Sequence, residues 1–256
     1  MKAVDRWQGG ERHREPFIER AVQAASLSLP ELAPRYMGEQ PIGDTFPRRF
    51  SALAAKGISN LASKLTSTLF PTQRPFIRFD PDLRVFAELG GNADNLDELL
   101  VALARREKAV DAFLDANGFR ATAFYLFENL LVSGNFLLRQ APSGKFIGYR
   151  LDRFQVERDG LDRPRMILLR ETVTKAALLA AGVDDKLVAS LNDVPGRPES
   201  AVVFTVAEVV EDSLNDTKER KWSIHQELTT GAILGEKKTV KDSSLPLIPI
   251  RLFQSD

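Results

Sequence analysis

The spacing of hydrophobic residues predicts helices in the first half of the chain. Between residues 50 and 69 the hydrophobic positions fall three and four apart, which is the period of one helix face, and Pro71 ends the pattern. The members of this stripe are Phe50, Leu53, Ala54, Ile58, Leu61, Ala62, Leu65 and Leu69. Similar stripes predict further helices over residues 10–29, 95–116 and 119–132. In the third of these four helices Asn95 is the predicted N-cap, and Asn117-Gly118 predicts its end.

The pattern changes to short strands after Gly134. Apolar segments of a few residues are divided by turn signals such as Asp159-Gly160. Residues 221–229 alternate between apolar and polar side chains, which predicts a strand buried on one face only. Residues 75–79 (PFIRF) are predicted to form a short strand, and residues 245–253 (LPLIPIRLF) an edge or extended strand because they contain two prolines.

Helices followed by antiparallel strands indicate an α+β fold, with N-terminal helices packed on an antiparallel, partly barrel-like β region. We predict a mainly helical region over residues 1–133 and a β-rich region over residues 134–256. A short helical insertion is predicted within the second region at about residues 172–192. The chain has 256 residues, which is long enough to bury a substantial core.

Composition narrows the classes of function. Lys+Arg and Asp+Glu both total 35, so the formal net charge is zero, whereas proteins that hold nucleic acid through its phosphates are usually basic. Any contact with DNA is therefore expected to be steric or transient. Cysteine is absent, which excludes disulfides, thiol catalysis and cysteine-based zinc sites. Neither a signal peptide nor an apolar run of about 18 residues is present, so no membrane association is expected.

The sequence offers few groups for catalysis. His13 and His225 are isolated from other candidate ligands, and we interpret both as surface residues. The acid pairs Asp184-Asp185 and Glu211-Asp212 are interpreted as solvated rather than metal-binding. The segment GAILGEKKT lacks the spacing of a phosphate-binding loop and is predicted to close a hairpin. We therefore predict no catalytic, cofactor-binding or metal-binding residues, no cofactor, and a protein that is not an enzyme.

Four segments resemble the head-to-tail connector, or portal, protein family of short-tailed tailed bacteriophages. They occur in the same order as in that family and are AAKGISNLASKLTSTLFPTQRPFIRF (54–79), FRATAFYLFENLLVSGNFLL (119–138), YRLDRFQVERDGLDRPRMILLRE (149–171) and Ile248-Pro249-Ile250-Arg251. Family chains are roughly twice as long, so the resemblance implies that this chain corresponds to the N-terminal, or wing, half. The stem and clip elements of the family have no counterpart in it.

The resemblance implies a structural role in the virion. Portal proteins form a ring, typically a dodecamer, at one vertex of the capsid, and the expected partners are other portal subunits, terminase, capsid and tail proteins. Double-stranded DNA passes through such a ring during packaging and ejection, with weak or non-specific contact. The expected location is the capsid portal vertex, after assembly in the host cytoplasm.

One helical row is a candidate for the contact between subunits. Lys56, Asn60 and Lys64 lie four residues apart on the side of the 46–69 helix that points away from its apolar stripe. The stripe itself is expected to pack on the β layer. Two other functions stay open from the sequence alone. One is an accessory or adaptor module, derived from a portal gene, that modulates portal assembly, and the other is a nucleic-acid-processing enzyme.

Overall fold

The computed structural model describes residues 1–33, 52–72, 74–88, 93–211 and 219–252. The α-helices within these ranges are α1 (Ala3–Leu27), α2 (Leu53–Leu69), α3 (Leu83–Glu88), α4 (Ala93–Ala116), α5 (Phe119–Ser133), α6 (Lys175–Ala180) and α7 (Asp185–Ala189). The strands are β1 (Asn135–Gln140), β2 (Phe146–Tyr149), β3 (Phe154–Arg158), β4 (Pro164–Thr174), β5 (Ser200–Glu211), β6 (Lys221–Leu228), β7 (Ile233–Lys241) and β8 (Leu247–Arg251). The α+β prediction is confirmed.

Two antiparallel sheets face each other across the main core. The larger sheet has five strands in the order β3-β4-β5-β6-β7, and the smaller has three in the order β2-β1-β8. Leu137 and Leu247 of the small sheet pack against Phe154, Ile167 and Trp222 of the large one. Both sheets are open within the described residues, so the barrel-like component of the prediction does not extend to a closed barrel. β8 lies at an edge, as its prolines predicted.

The opposite face of the large sheet is covered by the first half of α1. Ala3 and Trp7 pack against Met166, Leu168 and Phe204, and the rings of Trp7 and Phe204 lie 5.8 Å apart between centroids. Because this face is covered, β6 is buried on both sides rather than on one. The half-buried interpretation of residues 221–229 is therefore wrong.

α1 begins seven residues before the predicted position at residue 10 and ends at Leu27. It passes close to β3, where the side chain of Gln155 occupies the space that a Cβ on Gly10 would fill. The amide of Gln155 donates to the carbonyl oxygen of Trp7 across 2.9 Å. Gly10 therefore leaves room for the side chain of Gln155 beside the helix backbone, and a larger residue at this position would have to displace that side chain.

The helical insertion is formed by α6 and α7, which cover one end of the large sheet. Leu178 and Val188 pack against Val203 and Leu228. The hydroxyl of Thr174 caps α6 by accepting from the amide of Ala177. The division into two regions at residue 134 stays a prediction, and α1 of the first region packs on strands of the second.

The segment that follows α2 is irregular rather than extended into a sheet. Residues 75–79, all of which are described, form no strand, so this prediction is wrong. The amide of Phe79 instead donates to the carboxylate of Glu107 on α4, 2.7 Å away. The ring of Phe76 packs against Phe70, which follows α2, and against Phe119 of α5, so this segment is used in contacts with helices.

Candidate subunit-interaction surface

The buried face of α2 lies against α5. Ala55 and Ala62 are buried, with Ala62 fully inaccessible, and these small side chains allow the two helices to approach closely. The hydroxyl of Ser59 donates to Glu128 of α5 across 2.9 Å. The expectation that α2 packs on the β layer is therefore wrong, because α5 lies between α2 and strands β1 and β2. The largely apolar sequence FRATAFYLFENLLVS is the signal for such a central helix, since helices that are hydrophobic on all sides are usually buried.

Lys56, Asn60 and Lys64 lie on the exposed face of α2, opposite Ala55 and Ala62. Leu61 is also exposed, at 45% of its accessible area. The predicted apolar stripe thus contains residues from both faces, and not all of its leucines are buried. Phe50 and the rest of residues 46–51 lie outside the described residues.

An aromatic cluster fixes the C-terminal end of α2. The ring of Phe70 contacts Phe76, Phe119 and Phe127, and its centroid lies 4.9 Å from that of Phe119. Phe146 of β2 extends the cluster from the other side of Phe119. These edge-on and stacked contacts place the phenylalanines in packing roles between α2, α5 and the small sheet.

Arg120 of α5 connects the end of α2 with α4. Its guanidinium donates to the carbonyl oxygens of Phe70 and Pro71, at 2.9 Å and 2.7 Å. It also forms ion pairs with Asp111, at 3.3 Å, and with Asp115. Because the last carbonyl groups of a helix lack partners within the helix, the cation is well placed to satisfy them. The arrangement orients α2, and with it the Lys56 row.

A polar cluster links the two sheets. Arg139 of β1 forms an ion pair with Glu171 of β4 at 2.7 Å, and the hydroxyl of Tyr149 donates to the same carboxylate across 2.6 Å. Burial and the negative charge of Glu171 raise the pKa of Tyr149 to about 12. The cluster borders an open groove of about 970 Å³. Since the guanidinium and the carboxylate neutralise each other, the cluster is suited to joining the sheets rather than to acid–base chemistry.

His225 lies under the N-terminus of α1 and is buried, so its interpretation as a surface residue is wrong. Its Nε2 is 3.7 Å from the carboxylate of Glu227, which accepts a hydrogen bond from the amide of Ala3 at 2.9 Å. Burial is the main cause that lowers the pKa of His225, and the nearby charge of Lys237 lowers it further, against the opposing effect of Glu208 and Glu227. A neutral imidazole is thus part of the surface on which the N-terminus of α1 packs.

One residue of each acid pair has a structural partner. Asp184 caps α7 by accepting from the amide of Lys186 across 2.9 Å, and Glu211 pairs with Lys221 at 2.9 Å. His13 is exposed on α1. Asp212 lies outside the described residues. Within the described ranges no group of three or more His, Asp or Glu side chains has the arrangement of a metal site. No helix in those ranges has the length and apolarity to cross a membrane.

α4 presents a second exposed face, which the sequence did not single out. Its predicted stripe, including Leu99 and Leu103, is only half-buried, and none of its side chains described in the structure is fully buried. Leu100 and Val101 are exposed at 45% and 52%. Asp97 is exposed on the same side. The signal in the sequence is that apolar residues occur at consecutive positions 99–101, so that they cannot all face α5.

Comparison with known proteins identifies the class to which this fold belongs. The sequence model of the family described as "Bacteriophage head to tail connecting protein" matches residues 1–255. The portal protein of Enterobacteria phage T3 is 26% identical over 250 residues, which cover 95% of this chain and 44% of that protein. The portal proteins of Enterobacteria phage SP6 and Escherichia phage T7 are each 26% identical, over 249 and 250 residues.

The chain belongs to the bacteriophage head-to-tail connecting protein family. It spans less than half the length of the curated relatives that it matches, 44% for the T3 protein and 45% for the SP6 protein. The resemblance of the four sequence segments is thereby confirmed. Portal proteins of short-tailed phages are the relatives in question.

Proposed function

We propose that this chain is a structural subunit, or the N-terminal part of one, of a phage portal that joins head and tail. The family match over residues 1–255 carries the proposal. In this role copies of the chain contribute to a ring, expected to be a dodecamer, at the capsid vertex. Terminase, capsid and tail proteins are its proposed partners, and DNA passes through the ring with weak, non-specific contact.

The charged side chains that the structure describes are used in packing contacts, which agrees with a structural role. Arg120, Arg139 and Asp184 hold helices and sheets together, and His225 is buried beneath α1. A catalytic centre needs a nucleophile, base or metal with access to a substrate. These groups are instead engaged in packing, so we propose that the chain is not an enzyme.

A chimaera with a relative tests the proposal. The chain is fused into the portal protein of phage T7 in place of the segment that it matches, and the product is examined by negative-stain electron microscopy and mass photometry. We expect rings of uniform size, whereas the T7 remainder without this chain should not form them. A chimaera that is folded by circular dichroism but stays monomeric would overturn the proposal.

A second experiment tests the alternative that the chain is an accessory or adaptor module. The separate chain is added in trans to the T7 portal protein during assembly. An adaptor that modulates assembly would change the yield of T7 rings without entering them, whereas a structural subunit is required within the ring itself. Mass photometry separates these outcomes because it reports the mass of each particle.

A further inference from the structure

We propose that the exposed face of α2 in one copy docks against the first half of α4 in a second copy. Lys56, Asn60 and Lys64 would meet Asp97 and the apolar side chains beside it. This contact rests on the ring-forming function proposed above and names the two surfaces that meet. Copies that close into a ring contact each other head to tail, so each copy needs two different patches. α2 and α4 provide two such patches in the described part of the chain.

The two patches carry opposite charge. α2 contains the basic residues Lys56 and Lys64 and, over Leu53–Leu69, no acid. Residues 93–104, the first half of α4, contain no Lys or Arg, and their acids are Asp94, Asp97 and Glu98. Opposite potentials on two surfaces steer association and fix the register of the helices that meet. The charge pattern therefore favours α2 against α4 over a contact of either helix with its own copy.

The position of Lys56 supports an external partner. Lys56 lies in the first turn of α2, where the helix macrodipole disfavours a positive charge. The acids at the start of α4 are favoured by the macrodipole of their own helix, but Lys56 has no such benefit. A negative surface from a neighbouring copy would compensate for this placement.

Exposed apolar residues adjoin the charged positions of both patches. On α2, Leu53 and Leu61 are exposed at 79% and 45%, and they lie three residues from Lys56 and Lys64 respectively. On α4, Leu100 and Val101 are exposed at 45% and 52%, and they share a face with Asp97 because these positions are three and four residues apart. Apolar side chains beside charged residues are the usual composition of a protein–protein interface. Charge alone would give a weaker and less specific contact.

The size of the contact predicts its strength. Two crossing helices bury less than the roughly 1,200–2,000 Å² of a stable, specific interface. The contact is thus too small to hold a ring by itself, and it is expected to act with further contacts between copies. It should be detectable as a weak association that covalent trapping reveals.

The absence of cysteine makes disulfide trapping a clean test. The variants Asn60→Cys and Val101→Cys are each oxidised alone and then as a mixture, at high protein concentration. We expect a cross-linked heterodimer from the mixture and little product from either variant alone. Gln23→Cys, on an exposed position of α1, replaces Asn60→Cys in the matched control mixture. Yields no higher than in this control, or a predominance of Asn60→Cys homodimers, would overturn the proposal.

Charge reversal tests the electrostatic part. Lys56→Glu with Lys64→Glu in the Asn60→Cys chain should lower the yield several-fold, and Asp97→Lys with Glu98→Lys in the Val101→Cys chain should do the same. Combining the two reversed chains should restore cross-linking, because the charges are again opposite. All four positions are exposed, so these changes should leave the fold intact, and thermal unfolding verifies this. Failure of the combined reversal to restore the yield contradicts the proposed pairing.

The cross-linking and chimaera experiments together distinguish failure of the α2–α4 contact from failure of the portal function. If the T7 chimaera forms rings but the mixture gives no specific cross-link, the function stands and the α2–α4 contact is wrong. If cross-links form but the chimaera gives no ring, the contact stands and the proposed function fails.

Discussion

Arg120 on α5 donates through Nε to the carbonyl oxygen of Phe70, 2.9 Å away, at the residue that directly follows α2. The same guanidinium reaches Asp111 near the end of α4. One side chain therefore sets how α2 and α4 are placed on α5. Since these two helices carry the proposed contact surfaces, their relative orientation depends on Arg120.

Replacement of Arg120 by methionine is expected to destabilise the fold. The change removes charge-assisted hydrogen bonds to two carbonyl groups and leaves Asp111 without this cation. We expect a loss of about 2–4 kcal/mol in the free energy of unfolding. Urea denaturation measures it. Arg105→Met, at an exposed position on α4, is the matched control and should change the stability by less than about 0.5 kcal/mol. Equal losses in both variants would show that Arg120 has no special role.

Acidification is expected to weaken the packing of the N-terminus of α1 on the large sheet. The pKa of His225 is lowered in the folded protein, so in the acidic range the unfolded chain binds more protons than the folded one. The contribution to stability is complete above the unfolded pKa of about 6.5 and is lost as the pH falls through it towards the folded pKa. His225→Gln should flatten this part of the profile of stability against pH. Chemical denaturation at a series of pH values is the measurement.

His13→Gln controls for the loss of a histidine as such, because His13 is exposed on α1. A wild-type profile in His225→Gln would mean that other groups cause the pH dependence. The charged groups that shift the pKa of His225 are Lys237, Glu208 and Glu227, and each can be tested in the same way.

Glu171→Gln is expected to lower the pKa of Tyr149 from about 12. Burial, the largest cause of the raised pKa, stays, whereas the negative charge and the strong acceptor are lost. Ultraviolet titration of tyrosine ionisation measures the shift, and Tyr149→Phe identifies which titration belongs to this residue. The same variant leaves Arg139 without its carboxylate, so a loss of about 1–3 kcal/mol in stability is also expected. An unchanged tyrosine titration would contradict the hydrogen bond.

Local periodicity predicted the helices well, but it could not predict what each helix covers. The helix predicted over residues 10–29 included Arg14 but gave no indication of its role. In the structure Arg14 is buried and donates to the carbonyl oxygen of Leu151 across 2.7 Å, 137 positions away in sequence. A buried cation of this kind depends on a partner that no local pattern reveals. The role of Arg14 therefore lay outside what spacing alone indicates.

At the candidate surface, too, spacing predicted which residues share a face but not which residues are buried. The sequence placed Lys56, Asn60 and Lys64 on one helix face correctly, because their spacing fixes it. Whether Leu61 is buried depends on the position of α5. His225 is buried together with Glu227, which accepts a hydrogen bond from the amide of Ala3 at the other end of the chain. Long-range packing decides these points, since a strand face is identical in sequence whether water or a helix covers it.

Binding to linear duplex DNA is expected to be weak. The net charge is zero, so few counterions are released on binding, and affinity should vanish by about 150 mM salt. Fluorescence anisotropy over a salt series measures it. Submicromolar affinity at that salt concentration would contradict passage of DNA with only transient contact and would favour a nucleic-acid-binding function.

The isolated chain is expected to be a folded monomer or a weak, concentration-dependent oligomer. The proposed contact between α2 and α4 buries too little area to close a ring, and the relatives are more than twice as long, which leaves room for further contacts. Multi-angle light scattering at micromolar concentration measures the mass against 28.5 kDa. Lys56→Glu with Lys64→Glu should remove any concentration dependence, whereas Arg12→Glu, at an exposed position on α1, should not. A discrete mass near twelve subunits for the wild-type chain would contradict this expectation, because it would show that these 256 residues alone provide enough contact area to close a ring.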